Sequence, residues 1–178
     1  MGRTQKWKQL VQAVAFLCCL LVVWSGINSV MCHSSDITFW ANTYRARDLL
    51  SQKEQSIDVL ALGSSQTIRS FSPMKLYEDY GISAYCAGFE RNPVMCSYLW
   101  LKEVLKEQSP RVVLFEVYML FKEPSEAYYR KTIDSLNSPS VKKEALQLCD
   151  EGYFEDSKLS YLFPILKYHT RYTELSEL

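Results

Sequence analysis

Between Gln9 and Ser35 the chain carries no Asp, Glu, Lys or Arg, and this gap in charge limits what the first part can become. Its core, Leu10 to about Met31, is built mainly from Val, Ala, Phe, Leu, Cys and Trp. A helix of about 20 such residues, rising ~1.5 Å per residue, crosses the ~30 Å hydrocarbon layer of a bilayer. Arg3, Lys6 and Lys8 precede it, and the positive-inside rule keeps such a tail cytoplasmic. Everything after Asp36 is then expected outside. Gln12, Ser25, Gly26, Asn28 and Ser29 soften the run and leave a rival reading open, with Leu10–Trp24 as the apolar region of a cleaved signal peptide. No small-x-small cleavage site is evident, so an uncleaved single-pass anchor is preferred. The expected plan is a cytoplasmic tail (1–8), a membrane anchor (9–31), a juxtamembrane helix (32–55) and an α/β domain (56–178). Either reading exports the domain, so the expected location is the cell membrane with the domain extracytoplasmic.

The 178 residues suffice for one ordinary domain, and 48% hydrophobic content supplies a core. Lys plus Arg and Asp plus Glu balance at 20 each, so setting aside the three basic residues of the tail leaves the rest mildly acidic. A nucleic-acid binder shows the opposite footprint. Cys18 and Cys19 fall in the apolar run, where they pack as small apolar residues. Cys32, Cys86, Cys96 and Cys149 fall beyond it, on the expected oxidising side. Their spacing forms no zinc pattern and leaves pairing open, and no metal or other cofactor is implied.

Beyond the anchor, Ile37–Gln55 reads as a helix, with Phe39, Trp40, Tyr44, Leu49 and Leu50 at near-helical spacing. The two aromatics at its start suit lipid headgroups equally well. Ile57–Leu62 is a short apolar run that ends abruptly in Gly63-Ser64-Ser65, as a buried strand running into a turn would. Ile68–Ser72 reads as a loop. Pro73 opens a helix, Met74–Tyr80, which Gly81 closes. Ile82–Gly88 is a second strand, and a helix follows from Pro93 to about Gln108, with Lys102, Glu103, Lys106 and Glu107 facing water. Arg111–Phe121 is the most strand-like stretch, β-branched and aromatic between Pro110 and Pro124. Glu126–Leu136 and Val141–Asp150 look helical, with Ser138-Pro139-Ser140 between them. Leu159–Tyr168 is apolar but broken by Pro164.

Strand, helix, strand, helix, strand implies right-handed crossovers, a parallel sheet and cover on both faces. Ligands of such sheets bind beyond the carboxyl ends of the strands, where Ser64 and Ser65 fall. A serine there suits nucleophilic chemistry, with neighbouring N–H groups for an oxyanion; from the motif alone a plain polar turn is the favoured reading, since Gly and Ser are common turn residues. Glu116, a carboxylate inside the third apolar run, needs a partner if buried. Either Arg69 or Arg91 supplies it near the site, or Glu116 sits at a strand edge.

The combination Asp58–Ser65, Tyr80-Gly81-Ile82, Tyr85-Cys86-Ala87-Gly88 and Tyr98–Lys102 resembles the SGNH (GDSL-type) hydrolase superfamily, and within it the membrane-anchored bacterial members associated with cell-surface polymers and O-acylation. The resemblance spans roughly Ile57–Leu120 and extends weakly to Arg171. It implies a partial flavodoxin-like sheet of about three strands with flanking helices. It makes Ser65 the nucleophile, with Gly63-Ser64 in place of the family's Gly-Asp, and Gly88 an oxyanion donor alongside the Ser65 N–H. Asn92 is placed to reach the same hole. The family's third block has an asparagine, where this chain reads Glu116-Val117-Tyr118-Met119. The family's closing Asp-x-x-His block is not matched either: the histidines are His33 and His169, and Leu166 stands three residues before the latter. Thr67 separates the motif from the Gly-x-Ser-x-Gly elbow of other hydrolases.

Two functions are therefore expected. One is a surface-tethered serine esterase or O-acyltransferase, truncated at its carboxyl end, acting on acyl groups of an envelope polysaccharide beside a membrane-bound O-acyltransferase. Ser65, Gly88 and Asn92 form its site, with Glu116 and Arg69 in support. The other is a non-catalytic, membrane-anchored interaction protein of the envelope. A generic exported α/β fragment is the third possibility.

Overall fold

A computed structural model describes residues 3–32, 37–121, 126–148, 158–163 and 165–168. The architecture is α/β: a three-stranded parallel sheet with flanking helices, preceded by one long apolar helix. The chain divides into two compact units, Ser35–Tyr161 and, separately, Met1–Ser34 with Leu162–Leu178.

In the second of these, α1 (Arg3–Cys32) is a continuous helix. Its stretch Gln5–Val30 is long and apolar enough to cross a membrane. Such a helix hides its own backbone polar groups, the condition for entering lipid. The Leu159–Tyr168 stretch is broken as its proline suggests, into α8 (Lys158–Leu162) and α9 (Ile165–Tyr168). Trp24 of α1 meets Phe163 edge to face, with ring centroids 5.9 Å apart.

The Ser35–Tyr161 unit opens with α2 (Ile37–Leu50), which ends five residues before the expected Gln55. Strands β1 (Val59–Gly63), β2 (Ala84–Gly88) and β3 (Val112–Phe115) assemble in the order β2-β1-β3. The register pairs Gly63 with Gly88 and Leu62 with Phe115. Leu60, Ala61 and Leu62 are all buried. Successive side chains of a strand point to opposite faces, so β1 is covered on both. Gln108, itself buried, fixes the entry to β1 by accepting from the N–H groups of Ser56 and Ile57 and donating to the Lys53 carbonyl.

Helix α5 (Val94–Val104) packs on β1, on α6 (Glu126–Ser135) and on α7 (Pro139–Leu148), while α2 packs on β2 and α6. Trp100, fully buried, stacks on Phe89 at a centroid distance of 4.7 Å. Arg130 of α6 is buried too. It donates to Asp134 and to the hydroxyl and carbonyl of Ser160, binding the start of the tail to the core.

Several expectations are corrected. Residues 65–70, read partly as loop, form α3 (Ser65–Ser70), because the Ser64 hydroxyl caps it by accepting from the Gln66 N–H. As expected, Pro73 opens α4 (Pro73–Tyr80) and Gly81 closes it at φ 65°, a left-handed position suited to glycine. The third apolar run keeps only four residues as strand; Tyr118–Phe121 turns into a 3₁₀ helix. Cover on both faces does not extend to β3: Val112, Val113, Leu114 and Phe115 are each at least 39% exposed. Glu103 does not face water. It is buried, and its Oε1 accepts from the N–H groups of both Asn137 and Ser138 at 2.7 Å, holding the turn from α6 to α7.

Candidate functional site

The carboxyl ends of β1 and β2 finish level, at the Gly63–Gly88 pair. Two residues beyond Gly63 the chain enters α3, which leans across onto β2. Both glycines are required by that approach. A Cβ on Gly63 would overlap the Thr67 hydroxyl and lie 2.5 Å from Glu116 Cβ. A Cβ on Gly88 would lie 2.6 Å from Ile68 Cγ1 and 2.9 Å from the Ser64 carbonyl oxygen. Helix α3 thus lays Thr67 and Ile68 directly against the two glycines, and Ser65 occupies its first position, at the rim shared by the two strands.

Ser64 and Ser65 divide the work of the motif. Ser64 is buried: its N–H donates to Glu116 Oε2 at 2.7 Å, and its hydroxyl caps α3. Ser65 is half-buried. Its hydroxyl takes no protein hydrogen-bond partner among the described residues, so of the two it is the one free to meet a substrate. The Ser65 N–H, in the first turn of a helix, is one of the donors that a helix leaves unused.

The other expected site residues are brought near, in roles that the motif did not specify. Glu116 follows β3 directly and reaches across to the Ser64 N–H. No ion pair joins it to Arg69 or Arg91 among the described residues; both arginines are exposed. Its second oxygen, Oε1, is buried without a partner, as is Thr67 Oγ1. These two side chains flank Gly63 from opposite elements.

Asn92 is buried, and its Nδ2 donates to Ser97 Oγ at 2.8 Å and to the Gly63 carbonyl at 3.3 Å. It braces the end of β1 from below the rim. Gly88 sits at the rim, but the ladder orients its amide. The Phe89 N–H donates to the Gly63 carbonyl, and successive N–H groups along a strand point to opposite sides, so the Gly88 N–H points away from β1. There it opposes the effect of burial, which raises the Cys86 thiol above its usual range.

Arg91, between Gly88 and Asn92, holds φ 45°. A left-handed non-glycine residue is costly, and such residues gather at functional loops. This marker was not accessible from the residue pattern, because arginine carries no signature for it.

Burial pushes the Cys96 thiol up to about 12, leaving it un-ionised at neutral pH. Cys86 and Cys96 are free thiols. No group of three or more His, Cys, Asp or Glu suited to a metal ion occurs among the described residues. His33 and His169 lie outside the described residues, as does Cys149. A cleft of about 370 Å³ between α2 and the α6–α7 turn is lined by Thr43, Arg47, Leu50, Asp134 and Asn137 rather than by rim residues.

The fold and rim define an α/β unit with a serine at the carboxyl end of a parallel sheet. Comparison with protein-family models, with curated proteins and with solved structures returns no match.

Proposed function

We propose that the chain is a membrane-anchored, extracytoplasmic serine esterase or O-acyltransferase of SGNH type, acting on acyl groups of an envelope polysaccharide. One observation supports it above others: the Ser65 hydroxyl stands unengaged at the first turn of α3, while the hydroxyl of its neighbour Ser64 caps that helix. In this reading the Ser65 oxygen attacks an ester carbonyl, the Ser65 N–H steadies the resulting oxyanion, and the alcohol leaves as an acyl-serine forms. A base must take the hydroxyl proton for this step to run. The donor role first given to Gly88 is less well supported, since its N–H points away from β1, and Asn92 serves as a brace. Treating the full-length protein in membranes with a fluorophosphonate tests the reading. An adduct on Ser65 that disappears in Ser65→Ala is expected; no adduct on the folded protein overturns it.

A second reading has its own observation. Strand β3 and the segment after it present Val112–Phe115, Val117, Tyr118, Leu120 and Phe121 to solvent, more apolar edge than a free-standing sheet usually leaves open. This favours a non-catalytic, membrane-anchored protein that works by association. Under it, Ser65→Ala leaves envelope function intact while Val113→Asp abolishes it; the reverse pattern restores the enzyme.

A further inference from the structure

We infer that Phe163 and α9 form a second membrane element, seated in the acyl-chain region of the bilayer against the outer turns of α1. The inference rests on the reading of α1 as a membrane anchor and adds a second attachment to it. From residue 5 to residue 30, every residue of α1 is exposed except Trp24 and Asn28, which are partly covered. These two are four apart and share one helix face. The segment that covers this face includes Phe163, through its ring contact with Trp24, and α9, which packs on α1.

Depth identifies the surroundings. Trp24 lies about 10 Å along the axis from the middle of the Gln5–Val30 stretch. The hydrocarbon half-thickness is ~15 Å, so a span centred on that stretch places the Trp24–Phe163 contact below the headgroups. Phe163 and Leu166 nevertheless remain 42% and 52% exposed. At that depth the medium meeting those apolar surfaces is lipid. With four residues, α9 is far too short to hold its shape alone or to cross the membrane; docking on α1 gives it form. Lys167, exposed in its last turn, is the one charged residue of α9. The Ser35–Tyr161 unit is then tethered to the bilayer at both ends of its sequence.

The test places the photo-crosslinking residue p-benzoylphenylalanine at Phe163, at Leu166 and, as a reference, at Val22, which is 72% exposed on α1. The full-length protein is reconstituted in phosphatidylcholine–phosphatidylglycerol vesicles, irradiated, and read by mass for lipid adducts. Lipid adducts at 163 and 166 within about threefold of the Val22 yield are expected. Lower yields at both sites, with Val22 labelled, overturn the inference and leave the anchor standing. No lipid adduct at Val22 removes the anchor and the inference together. The substitution at 163 keeps an aromatic ring against Trp24, Leu166 is 52% exposed, and agreement between the two sites guards against one altered side chain.

Discussion

β1 and β3 are hydrogen-bonded neighbours in one parallel sheet, each an unbroken apolar run, and they meet opposite environments. Leu60 and Leu62 are 0% exposed; Leu114 and Phe115 are 44% and 41% exposed. Composition does not separate them, since β3 has the stronger strand-forming residues. Position does: β1 has a strand on each side and α5 packed on it, while β3 ends the sheet. Hydrophobicity records what a strand is suited to touch. Whether it is touched depends on which elements return to it.

The largest effect that would break this contrast is in side-chain truncation. Leu62→Ala should cost about 3–4 kcal/mol, as a fully buried leucine does, while Leu114→Ala should cost under ~1 kcal/mol, as exposed positions do. Urea unfolding of the full-length protein in detergent micelles, followed by tryptophan fluorescence, measures both. Equal costs would mean that β3 is covered in solution.

A smaller effect sharpens the role of the rim. Gly63→Ala should cost about 2–3 kcal/mol, because the new methyl collides with Thr67 and Glu116 and the surroundings must shift. Gly26→Ala, with nothing within 4 Å of the added carbon, should leave unfolding unchanged.

Next come the two carboxylates. Glu103→Gln and Glu116→Gln should each cost about 1–2 kcal/mol, since each acid accepts charge-assisted backbone bonds that an amide oxygen accepts more weakly. If Glu116→Gln instead spares stability while abolishing fluorophosphonate labelling, the acid has a role in chemistry at Ser65.

The smallest effect is at the α5–α7 surface, where Lys102 and Tyr98 both donate to Glu144. The hydrogen bond from Lys102 holds the Glu144 carboxyl below its ordinary range, with Tyr98 adding to it. The pair's contribution is therefore present above the usual carboxylate range and fades as pH falls through the lowered value. The Lys102 ammonium is raised by the same bond, so on the alkaline side the contribution is lost as pH climbs past the usual lysine range. Glu144→Gln should flatten the acid side of a stability–pH curve; an unchanged curve would show the pair to be screened.

Much of the fold was legible, and for physical reasons. Pro73 and Gly81 bracket α4 because one fixes φ and the other accepts a left-handed turn. Three apolar runs became three strands, and Gly63 and Gly88 fell at their ends. Failures arose where tertiary contacts decide. Glu103 follows helical polarity outward but is pulled in by two backbone N–H groups far along the chain. The last residues of the third run leave the sheet because pairing with β1 stops at Phe115. At the rim, sequence indicated which residues would assemble but not their orientations. Glu116 binds a backbone amide rather than an arginine, and Asn92 turns inward to Ser97. Such choices depend on which groups of distant segments come within hydrogen-bonding reach, which no local pattern encodes.

The level glycines have a mechanical consequence. Where most helices meet a sheet through side chains on both partners, α3 meets two strand ends that carry none, with only its own Thr67 and Ile68 side chains against them. The height of its first residue above the strand ends is then set by one layer of atoms, with no second layer of side chains to absorb a change. Repacking elsewhere in the core will move that residue little, whereas one added methyl at either glycine will displace it directly.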